Sequence, residues 1–135
     1  MEITEGIDYV RSNSRAVLAT VRRDGAPQMS PVTLAVLENT IVMSTRETAY
    51  KVVNLRRDPR AWLCVFPDSW YGRWFQLGCT TKVESLPDVM DSLIQYYRTL
   101  RGDHPDWIDY RQAMSVERRC LVRFNVLTAG PDLSG

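Results

Sequence analysis

The sequence predicts a small, mainly β domain: a six-stranded, largely antiparallel barrel with helices across its openings. Three observations lead there. Short β-branched, apolar runs recur with turn signals between them, and helical patterns are few and short. The element order (helix, three strands, helix, two strands, two helices, one strand) also lacks the regular strand–helix alternation of a doubly wound sheet. With 135 residues, 44% apolar and 24% charged, the chain has the size and composition of one globular domain spanning 1–135.

Ile3, Ile7 and Val10 recur at helical spacing, so a short amphipathic helix is expected over 3–12, ahead of a core at 15–127. "RAVLATVR" (15–22) reads as a strand, "RDGAP" carries an Asp-Gly turn, and "QMSPVTLAVL" (28–37) returns as a strand. Pro31 within that run requires an edge or a bulge. "IVMST" (41–45) completes what reads as a three-stranded meander. Thr48 is the expected N-cap of a helix ending at Asp58, because Pro59 disfavours helical geometry in the residue before it. "RAWLCVF" (60–66) reads as a buried strand, and 73–86 as a long one bent at Gly78. Pro87 is placed to start a helix running to Arg101. A further helix over about 106–115 and a strand at 119–127 finish the chain.

Several function classes lose support at this level. Seventeen basic residues against sixteen acidic ones leave a net charge of +1, so no global field points to nucleic acid, a membrane or an acidic partner. Cys64, Cys79 and Cys120 are odd in number, far apart and without a CxxC pair, which argues against a disulfide framework and a zinc site; no metal is expected. The first residues carry acids where a secretory signal has bases, and no apolar run approaches bilayer-spanning length, so a cytoplasmic protein is expected. His104, the only histidine, lies in a hydrophilic loop, where a surface role is favoured over catalysis. GxSxG, HExxH, P-loop and GxGxxG patterns are absent.

A chain so poor in catalytic groups suits chemistry carried by a cofactor, for which the protein supplies binding, orientation and electrostatics. The feature to seek is then an anion-holding site. Counting from Thr48 puts Lys51 at the third helical position, where a capping box has Glu or Gln and a cation costs about 0.3–1 kcal/mol if uncompensated. Ser44, Thr45, Arg46, Thr48 and Lys51 would converge there with free backbone N–H groups, a helix-terminus anion site. The other reading leaves Lys51 pointing into water. Arg56 and Arg57, in the last turn, suit terminal carbonyls better than a ligand. Trp70, Tyr71, Trp74 and Phe75 suit a core or interface element, a wall for a planar ligand, or base stacking.

The stretches "AVLATVRRDGAPQMSPV", "IVMSTRETAYKVVNLRRDPRA" and "HPDWIDYRQAM" followed by "RRCLVRF" resemble the pyridoxamine-phosphate-oxidase-like split-barrel superfamily of flavin and deazaflavin oxidoreductases. The similarity is greatest to its actinobacterial branch, which uses coenzyme F420, and it runs from about residue 15 to 127. The resemblance implies an FMN-binding-like split barrel and a homodimer with cofactor sites at its interface. It implies hydride transfer from reduced deazaflavin to a small organic acceptor, with Ser30, Pro31, Val32, Ser44 and Thr45 lining the ring system. Lys51, with Arg46, Asn54 and Leu55 nearby, would hold the phosphate and acidic tail, and Tyr71 or Trp74 of the partner would cover the ring. Relatives often carry a second basic residue where this chain has Ala49; Arg46, elsewhere in the turn, is the residue that would have to compensate. The alternatives are an FMN-dependent oxidase or reductase of the same fold and a non-catalytic cofactor-binding dimer.

Overall fold

The computed structural model describes residues 1–134. Their elements, in order, are α1 (Ile3–Ser12), β1 (Arg15–Val21), β2 (Pro27–Thr33), β3 (Ala35–Leu37), β4 (Thr40–Arg46), α2 (Tyr50–Arg57), β5 (Arg60–Val65), β6 (Arg73–Ser85), α3 (Met90–Arg101), α4 (Trp107–Val116) and β7 (Arg119–Ser134). All neighbouring strands pair antiparallel, in the order β2-β1-β5-β6-β7-β4-β3. The mainly β, antiparallel class expected from the sequence is the class observed.

The expected meander is not. The run read as one strand over 28–37 is two, β2 and β3, lying on opposite edges of the sheet. Only Leu34 separates them, and its N–H donates to the Ser14 carbonyl at 2.6 Å. One continuous segment therefore forms both edges and curls the sheet into a barrel. Val32, Leu34 and Val36 all turn towards the interior cluster, so side-chain alternation runs unbroken through the point where the pairing partner changes from β1 to β4. Counted by continuous segments, there are six; counted by strands, seven. Pro31 sits on an edge strand, where its missing N–H leaves no ladder bond unmade.

The interior is filled by Leu18, Leu34, Ile41, Met43, Leu63, Leu77, Phe75, Val122 and Phe124 among others. Alternation in β3, β4 and β7 buries the other face as well: Ala35, Val42 and Leu121 belong to a second cluster with Leu93, Ile94, Tyr110 and Met114 of α3 and α4. α1 adds Val10 to the barrel interior and α2 adds Leu55. In β6 the register shifts at Gly78, where a Cβ would come within 2.4 Å of Thr128 Oγ1. The close approach of two strands requires a residue without a side chain there.

Helix boundaries differ from expectation in two places. α3 starts at Met90 rather than at Pro87, because Leu86–Val89 form a turn first. α2 is capped by extended Ala49 (ψ 142°), with no side-chain bond from Thr48, so Lys51 occupies the second helical position. β7 also runs past residue 127, continuing its pairing with β6 as far as Ser134 opposite Arg73. Asp106 caps α4 as its position suggests, accepting from the Ile108 and Asp109 N–H groups at 3.1 Å each. No helix of the described residues is long and apolar enough to cross a membrane.

Candidate functional site

The start of β1, the end of β2, the end of β4 and the first turn of α2 meet around a cleft of about 450 Å³. Pro31, Val32, Ser44, Thr45 and Lys51 line it, five residues that the sequence reading placed at a cofactor site. Arg15, Thr33, Phe66, Tyr96 and Arg119 contribute further walls. Strand ends supply most of these groups because a barrel rim is where side chains are released from the ladder without being filled from within.

Lys51 is the electrostatic anomaly of the cleft. It is half-buried, and no carboxylate of the described residues pairs with it. Burial first, and the charge of Arg119 second, push its ammonium below the ordinary lysine range. Two cations held together at a partly desolvated rim are a destabilising arrangement unless an anion joins them. Arg119 is oriented for this by Glu117, whose Oε1 accepts from its Nε at 3.1 Å and lies 3.0 Å from its Nη2.

Arg46 does not take the place expected of it. Its guanidinium lies 3.4 Å from the same Glu117 oxygen, outside the cleft lining. The β4–β7 register sets Arg46 directly opposite Arg119, and Glu117 sits between them as the counter-charge. Arg119 is therefore the cation that joins Lys51 in the cleft, which Arg15 also lines, and the sequence reading left it unplaced. Its position follows from strand register, which a single sequence does not encode locally.

The other expected site residues fall outside the lining. Ser30 turns towards the barrel interior opposite Leu18, and its buried Oγ has no hydrogen-bond partner. Asn54 is buried: its Nδ2 donates to Thr20 Oγ1 at 3.1 Å and its Oδ1 accepts from Arg57 at 3.2 Å, so it fastens α2 to β1. Leu55 belongs to the interior core. Tyr71 is 75% exposed, and Trp74 lies in β6 opposite Leu133, so neither touches the cleft of its own chain. Phe66, edge-on to Trp70 at 5.1 Å, and Tyr96, whose hydroxyl donates to the Thr33 carbonyl at 2.8 Å, are the aromatics present. Arg56 and Arg57 do not cover carbonyls of their own helix. Arg56 pairs with Glu47 at 2.6 Å, and Arg57 donates to the Val21 carbonyl at 2.5 Å.

Nucleophilic and metal chemistry find little here. Burial pushes Cys79 up to about 12, Cys120 up to about 11 and Cys64 above its ordinary value, so none is a ready thiolate. Among the described residues no three His, Cys, Asp or Glu come together to hold a metal ion.

The class that the fold and the cleft define is a small, curled antiparallel barrel with a half-buried lysine, unpaired among the described residues, at its rim. Within that class, residues 4–129 match the family model described as pyridoxamine 5'-phosphate oxidase, and the chain belongs to that family. Solved structures of the same fold include conserved hypothetical protein Rv2991 from Mycobacterium tuberculosis, 23% identical over 99% of this chain and 85% of its own, with a TM-score of 0.79. An F420 reductase is 18% identical over 96% and 98% of the two chains, TM-score 0.70. A pyridoxamine 5'-phosphate oxidase-related, FMN-binding protein from Nostoc punctiforme is 16% identical over 96% and 84%, TM-score 0.69. At these identities the likeness establishes the fold.

Proposed function

We propose that this protein is an F420-dependent reductase that works as a homodimer on a small organic acceptor. The observation that carries the reading is Lys51: half-buried, without a carboxylate partner, and set beside Arg119 at the rim. An anionic phosphate between the two removes the repulsion and gives each a charge-assisted hydrogen bond. Ser44 and Thr45 offer hydroxyls next to that point, while Pro31 and Val32 offer a flat apolar wall for a ring system. The residues present thus fit a phosphate-bearing flavin or deazaflavin, and the F420 reductase among the structural neighbours favours the deazaflavin.

Lys51 and Arg119 would hold the phosphate and Pro31 and Val32 would flank the ring of a bound reduced deazaflavin, which would supply hydride chemistry towards an electrophilic double bond, the balancing proton coming from water. The protein's own part is to fix the anionic end, align the ring and exclude solvent. Tyr96 is not placed as the acid, because its hydroxyl already donates to Thr33 and burial raises its pKa. Trp70 and Tyr71, 70% and 75% exposed, are the aromatic surface offered to a second copy, whose cleft they would cover.

Parallel titration of the purified protein with F420 and FMN tests the reading. Saturable F420 binding, weakened roughly ten- to a hundredfold by Lys51→Ala, is expected. Exclusive FMN binding would transfer the site to a flavin, and F420 binding indifferent to Lys51→Ala would remove the anchoring role. Sedimentation analysis with and without F420 tests the dimer.

A further inference from the structure

The cleft does not end at Tyr96. A second cavity of about 670 Å³ opens on the other side and shares Arg15, Thr33, Ser44, Tyr96 and Arg119 with the first. Its remaining walls come from α3, the loop after it and α4. A molecule in one compartment therefore abuts a molecule in the other across a common septum. Tyr97, Leu100, Tyr110 and Met114 give the second compartment an aromatic and apolar side, and most of its other lining residues are polar or charged.

Its polar groups divide unevenly. Glu117 is already engaged by Arg46 and Arg119, and Arg15 has Asp68 at 3.7 Å. Arg101, in the last turn of α3, has no ion-pair partner among the described residues, and Asp109 is the acid left facing the same space. His104 packs edge-on to Tyr97 and tilted against Tyr110, with centroids 5.1 and 5.5 Å away. Its Nδ1 accepts the Asp106 N–H at 2.9 Å, which fixes the tautomer with hydrogen on Nε2. Nε2–H is thus the donor that the ring has left to offer.

We propose that this second compartment is the acceptor site and takes a planar molecule bearing a single carboxylate, its ring against Tyr97, Leu100 and Met114 and its carboxylate on Arg101 and His104. The proposal rests on the two-compartment use of the cleft. One free arginine opposed by one free aspartate favours a monoanion over a polyanionic chain. The side formed by Tyr97, Leu100 and Met114 gives a flat ring system its contact surface.

2-Naphthoate is the probe, with 2-naphthalenemethanol as its neutral counterpart, both titrated calorimetrically into the full chain with and without saturating F420. The expected result is naphthoate binding that persists in the presence of F420, at least about tenfold tighter than the alcohol and weakened about tenfold by Arg101→Gln. His104→Phe, which keeps the ring and removes the donor, gives an independent loss of naphthoate affinity with F420 affinity unchanged. Displacement of naphthoate by F420 would assign the compartment to the cofactor's own tail and overturn the proposal, as would equal binding of acid and alcohol. Naphthoate binding that depends on Arg101 in a protein that ignores F420 would uphold the compartment and remove the reductase reading instead.

Discussion

Lys51 illustrates how one side chain can be misfit and purposeful together. Its folded pKa lies below the ordinary lysine value, because burial and Arg119 both disfavour the charge. In the window between the folded and unfolded values the unfolded chain binds more protons, so the ligand-free protein gains stability as pH rises through it. Below that window the misfit is fully present. Lys51→Met is accordingly expected to raise the melting temperature of the ligand-free protein at pH 7, to flatten its gain as pH rises towards the ordinary lysine value of 10.5, and to weaken anion binding. Thermal melts across pH, with and without F420, check all three. The place of Lys51 in the first turn of a helix was legible in the sequence. Arg119 was not, because only the pairing of β4 with β7 brings it there.

At the scale of elements, α2 is held by polar ties as much as by its apolar face. Thr20 donates to Gln28 at 3.3 Å, Asn54 donates to Thr20, and Arg57 reaches both Asn54 and the Val21 carbonyl. This chain crosses from helix to β1 to β2 and sets the rotation at which Lys51 meets the cleft. Asn54→Ala should cost about 1–3 kcal/mol in denaturant unfolding. It should also weaken F420 binding although Asn54 touches no ligand, and Lys51→Ala combined with it should add less than the sum of the two. The helix itself was readable from Pro59 and the basic last turn. Its N-cap was not, because Thr48 and Ala49 compete for one position and the turn after Arg46 decides between them. Sequence likewise suggested a ligand role for Asn54, whereas burial gives it to the scaffold.

For the molecule as a whole, closure depends on 27–37. Its alternation was visible in the sequence, and so was the edge position demanded by Pro31. The switch of partner at Leu34 was hidden, because inward and outward residues keep the same phase on both sides of it. Leu34 is fully buried at that switch, and Leu34→Ala should cost about 2–5 kcal/mol, read from denaturant midpoints. The barrel class survived this error in topology because it rests on composition and strand spacing, which do not depend on which strand neighbours which.

The same segment that shuts the barrel also lends Pro31, Val32 and Thr33 to the cleft wall. Opening the seam and emptying the cleft are thus linked equilibria, and whatever fills the cleft acts as a latch on the seam. Amide hydrogen exchange along 28–36 should therefore slow on ligand binding by the factor 1 + [L]/Kd, wherever exchange requires the seam to open. Exchange in β5 and β6, remote from the latch, should respond only as far as global unfolding contributes.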